Sequence, residues 1–90
     1  KLVQAPAGIP VGRLVAEGEV ALGFQQLSEL MSLPGITVVG PLPPAIQITT
    51  TFSAGVATTS ARPDEVRTLL AWMAAPATAA LKRRHGMEAA

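Results

Sequence analysis

Val20-Ala21-Leu22-Gly23-Phe24 is a five-residue apolar run held between Gly18-Glu19 and the polar pair Gln25-Gln26. It is too brief for a buried helix and is bounded by glycine, so it reads as a buried strand that feeds the helix beginning near Gln26. Upstream, Gly8-Ile9-Pro10 precedes Val11, Leu14 and Val15 at helical spacing, and Gly18 supplies the stop. Proline costs nothing in a first turn, where its missing N–H would have had no intrahelical partner. Downstream, Leu27, Leu30 and Met31 repeat the helical spacing until Pro34-Gly35, and Ile36-Thr37-Val38-Val39 is a second β-rich run closed by Gly40-Pro41. The order helix, strand, helix, strand predicts parallel pairing in an α/β layer.

Pro41, Pro43 and Pro44 hold the next segment extended as a linker. From Ile46 to Thr58 the alternation of Ile46, Ile48, Thr50 and Phe52 with Gln47, Thr49 and Thr51 predicts a half-exposed strand, bent at Ser53-Ala54-Gly55. Arg62-Pro63-Asp64-Glu65 opens the clearest helix, with two carboxylates at the positive end of its dipole. Val66, Leu69, Leu70 and Met73 form an expected buried stripe on it. Pro76 interrupts the pattern, and a last short helix ends on Lys82, Arg83, Arg84 and His85 before Gly86.

Ninety residues, 49% hydrophobic and 14% charged, suffice for one small folded α/β unit and for half of a two-lobed site. A net charge of +1 and three aromatic residues, Phe24, Phe52 and Trp72, argue against a nucleic-acid partner. No apolar run reaches the roughly 18 residues of a membrane span. Lys1-Leu2-Val3 has no signal-peptide layout, so the leader of an exported parent would lie upstream. The absence of cysteine removes disulfides, zinc-thiolate sites and thiol nucleophiles.

Few residues point to chemistry. His85 has no Asp, Glu or Cys at metal-ligand spacing, and with Lys82, Arg83 and Arg84 it suits a solvated helix end; no metal and no cofactor is expected. Ser28 and Ser53 lie outside any nucleophile elbow, and Glu17, Glu19 and Glu29 are too dispersed along the sequence to argue for a carboxylate pair. With no catalytic residue identified, the chain reads as a non-enzyme. Two places fit anion binding: Ala7-Gly8-Ile9 before the first helix, and Phe24-Gln25-Gln26 where the strand meets the second.

The series Ala16 to Phe24, Gly40-Pro41-Leu42-Pro43, Phe52-Ser53-Ala54-Gly55, Arg62-Pro63 to Pro76, and His85-Gly86-Met87-Glu88 resembles the final third of a molybdate-type substrate-binding protein of an ABC importer. The resemblance covers nearly the whole chain and lies in the order of the blocks. It implies a type II periplasmic binding fold, three-layered α/β/α with mostly parallel strands. Residues 1–45 would finish the second lobe and approach the hinge, and 46–90 would return a strand and C-terminal helices to the first lobe. It implies a periplasmic binding protein for an oxyanion such as molybdate, or for a small carboxylate, handed to the transporter's membrane subunits. Ligand contacts would come from Gly8, Ile9, Phe24, Gln25 and Gln26. Gln26 stands where the molybdate binders place a tyrosine, which suits a carboxylate as well as an oxyanion. Some proteins on this scaffold isomerise small tricarboxylates, and that is the alternative function. Uncovered strand edges and apolar faces would favour a homodimer mate or the N-terminal part of the parent as partner.

Overall fold

In a computed structural model that describes all 90 residues, proline sits at the start of three helical elements: Pro10 before α1 (Val11–Ala16), Pro63 at the head of α3 (Pro63–Ala74), and Pro76 at the head of a 3-10 turn (Pro76–Thr78). Between them lies the single turn α2 (Leu27–Leu30), and α4 (Ala79–Arg84) follows the 3-10 turn directly. The chain divides into two units, Lys1–Pro44 and Ala45–Ala90.

In the first unit, α1 ends in a Schellman cap. Gly18 adopts φ +78°, Gly18 N–H donates to the Val15 carbonyl and Glu19 N–H to that of Leu14, both at 3.0 Å. The cap turns the chain back so that Gly23 lies against Val11 and Val15 of α1, and Leu30, Leu33 and Ile36 approach α1 at Gly12. A Cβ on Gly23 would lie 2.6 Å from Val11 Cγ1 and 3.0 Å from Val15 Cγ2, and one on Gly12 would lie 2.6 Å from Leu33 Cδ1. Gly23 therefore lets backbone press against β-branched side chains where a Cβ would not fit, whereas at Gly12 the atoms that would have to give are the ends of longer side chains. Leu14, 7% exposed, is the one buried large apolar side chain. Burying a leucine stabilises by about 1.5–3 kcal/mol, so this is a small core.

In the second unit, α3 carries Asp64 and Glu65 in its first turn, and the exposed pairs Arg62–Glu65 and Arg67–Asp64 lie along it at 3.3 and 3.0 Å. Such pairs add little to stability. Thr78 is buried, and its Oγ1 lies 3.0 Å from the Met73 carbonyl and 2.8 Å from that of Ala75, so the hydroxyl donates to the otherwise open end of α3. α4 closes as α1 does, with Gly86 at φ +77° and Met87 N–H donating to the Lys82 carbonyl at 2.9 Å. Its last turn holds Lys82, Arg83 and Arg84, the favourable sign for a helix C-terminus.

The structure corrects the expected α/β fold with mostly parallel strands. Val20–Phe24, Ile36–Val39 and Ile46–Thr58 contain no strand, and the regular structure is wholly helical. The reason lies in where each element finds its hydrogen bonds. A helix closes its own within four residues, whereas a strand must find another strand alongside, and these three segments do not pair with one another. The expected stripe on α3 is corrected too: Leu69 and Met73 are about half exposed and no residue of α3 is buried. α3 packs end-on against the 3-10 turn, and no element lies along its apolar face.

Candidate functional site

Gly8 ends the turn Ala7-Gly8 at φ +79°, and Ile9 N–H donates back to the Pro6 carbonyl at 3.1 Å. That turn delivers Pro10 to the head of α1. Across from it, the chain leaving 20–24 brings Gln25 in. Gln25 Oε1 accepts the Val11 backbone N–H at 3.1 Å, across 14 residues of sequence, and Gln25 Nε2 donates to Glu29 Oε2 at 2.6 Å. Gly8, Ile9, Pro10, Gln25 and Glu29 together line an open cavity of about 250 Å³.

Of the residues expected to bind ligand, Gly8, Ile9 and Gln25 thus share one cavity. Phe24 is 66% exposed and Gln26 is exposed at the N-cap of α2; neither lines it. The expected donors at the helix starts are largely engaged within the chain. Val11 N–H serves Gln25 and Ile9 N–H serves Pro6, while the Gln26 side chain makes no capping bond. Helices of six and four residues also carry little dipole. The polar side chains among the lining residues are Gln25, whose amide has a second hydrogen besides the one given to Glu29, and Glu29 itself.

Pro10 and Glu29 were not among the expected site residues. Glu29 had been grouped with Glu17 and Glu19 by type, but its partner is Gln25, four residues earlier and just ahead of α2. That i,i+4 spacing of amide and carboxylate was present in the sequence.

A second cavity, about 320 Å³, is lined by Val3, Gln4, Pro6, Ile9, Arg13, Leu14, Glu17 and Glu19. Its one cation is already matched: Arg13 Nε donates to Glu17 Oε1 at 2.7 Å, and that hydrogen bond, then the charge of Glu17, holds the guanidinium's proton more firmly than usual. With Glu19 added the lining is net negative, as is that of the first cavity through Glu29. His85 is exposed at the C-cap of α4, and no three acidic or histidine side chains cluster anywhere in the chain. No helix is long and apolar enough to cross a membrane.

A family model described as bacterial extracellular solute-binding protein matches residues 1–88. Among curated proteins, an aconitate isomerase from a Pseudomonas species is 48% identical over 65 residues, covering 72% of this chain and 25% of that protein. The chain therefore spans about a quarter of the length of that relative. No solved structure matches. The reading of the chain as a non-enzyme is overturned by the curated relative, which is named for a catalysed reaction.

Proposed function

The chain belongs to the bacterial extracellular solute-binding proteins, and from that premise we propose that it is part of an exported isomerase that acts on aconitate or a closely related small tricarboxylate. The observation that carries the reading is the 48% identity to an aconitate isomerase. The cavity bounded by Gly8, Ile9 and Gln25 supports it, because it offers a backbone turn and an amide to a carboxylate group. Phe24 and Gln26, beside it in sequence, complete the proposed ligand-contacting set. Residues 1–45 belong to one lobe of the site, and the helices within 46–90 pack on the other lobe through the apolar side chains that α3 leaves exposed, Leu69, Trp72 and Met73.

A tricarboxylate needs more donors and more positive charge than this cavity holds, since no cationic side chain lines it. The rest of the site then comes from the other lobe, as in a cleft that closes over its ligand. On this reading these ninety residues alone are expected to bind aconitate far more weakly than a protein with both lobes.

A second reading is favoured by the family match: the bound anion, a carboxylate or a molybdate-like oxyanion, is handed to the membrane subunits of an ABC importer. Calorimetric titration of the full-length protein with cis-aconitate, trans-aconitate, citrate, sulfate and molybdate, with each mixture assayed afterwards for chemical change, separates the two. Aconitate binding followed by conversion supports the isomerase. Tight binding of any of these anions without chemical change overturns it in favour of transport.

A further inference from the structure

Glu29 is an unusual residue to find in a site for a polyanion. A carboxylate there opposes binding, and no cation in the cavity offsets it. Glu29 is exposed, and it has one defined partner: Gln25 Nε2 donates to its Oε2 at 2.6 Å, while Gln25 Oε1 accepts the Val11 N–H. The second carboxylate oxygen, Oε1, has no partner within the chain. An oriented carboxylate with one oxygen available, on the wall of a cavity, is the arrangement that proton abstraction requires.

Resting on the isomerase reading above, we infer that Glu29 is the general base of the reaction and Gln25 its positioning residue. Aconitate is propene-1,2,3-tricarboxylate, with one methylene carbon on the other side of the substituted carbon from the double bond. Glu29 takes a proton from that methylene: a C–H bond breaks, an O–H bond forms, and the electron pair spreads over the three-carbon allylic system and its carboxylates. Returning a proton to the former vinyl carbon moves the double bond by one position. The product has the same connectivity with its ends exchanged, and its geometry is set by how the site holds the chain. Nothing is oxidised or reduced, and no co-reactant is needed.

The test uses the full-length protein with cis- or trans-aconitate in D2O, followed by proton NMR, for the wild type, Glu29→Gln and Glu29→Asp. The glutamine keeps an acceptor for Gln25 and cannot take a proton. Glu29→Gln is expected to bind aconitate within about threefold of the wild type, to lose about 100-fold or more in kcat, and to lose both deuterium entry into the methylene and the acidic limb of the pH profile. Glu29→Asp, which keeps the carboxylate, is expected to retain part of kcat and that limb. Wild-type kcat in Glu29→Gln overturns the inference and leaves the isomerase intact. Equal losses of binding and turnover in both variants also overturn it, because they assign Glu29 a structural role. A wild-type protein that leaves aconitate unchanged overturns the isomerase reading and the inference together, and the wild-type sample alone reveals that.

Discussion

The two units contrast in how their contacts are made. In Lys1–Pro44, the contacts that hold the unit join residues far apart in sequence: Gln25 to Val11, Gly23 to Val11 and Val15, Leu33 and Ile36 to Gly12. In Ala45–Ala90, the side-chain hydrogen bonds span no more than five residues, and the segment before α3 leaves Ile48 and Phe52 mostly exposed. Both units have similar helix caps. What differs is the sequence reach of the contacts, and in the first unit two of them fall at glycines.

That contrast breaks most easily at Gly23. A methyl group there meets Val11 Cγ1 at 2.6 Å and Val15 Cγ2 at 3.0 Å, and a β-branched side chain in a helix has little freedom to move away. Gly23→Ala is expected to destabilise by about 2 kcal/mol, read from urea unfolding of the full-length protein. Gly12→Ala is the sharpening control: its neighbours, Leu33 Cδ1 at 2.6 Å, Ile36 Cδ1 at 3.2 Å and Leu30 Cδ2 at 3.3 Å, are all side-chain ends that can give, and alanine favours the helix by about 1 kcal/mol, so the net change should be near zero.

The caps, common to both units, should respond alike. Gly18→Ala and Gly86→Ala each place a Cβ on a residue with φ near +78° and are expected to cost about 1–2 kcal/mol. Unequal costs would mean that one cap is supported by its surroundings and the other is not. In the second unit, Thr78→Val removes the hydroxyl that donates to the end of α3 while keeping its shape, for an expected loss of about 1 kcal/mol in the same assay. The smallest effect is expected at Arg13→Gln, since its pair with Glu17 is solvent-exposed: no measurable shift of the unfolding midpoint, at low salt or high.

The helices were legible in the sequence because their signals are local. Pro10, Pro63 and Pro76 mark starts, Gly18 and Gly86 mark ends, and each acts within one turn. The strands were misread because alternation at Ile46–Phe52 and β-branching at Ile36–Val39 describe what a segment would do beside a partner, and the sequence does not say whether the partner is present. The candidate site was legible in part. Gly8, Ile9 and Gln25 were expected and lie together, whereas Glu29 was missed because a carboxylate was sought as one of a pair. Its partner is an amide, and the link from Gln25 to the head of α1 depends on a fold-back that no local signal announces.

The most direct test of the functional account is to mix the full-length wild-type protein with a single geometric isomer of aconitate and follow the vinyl proton by NMR. The account predicts catalytic conversion to the mixture of both isomers, reached from either side. An isomer that stays unchanged beside stoichiometric, ligand-saturated protein would contradict it and leave a protein that binds its solute without altering it.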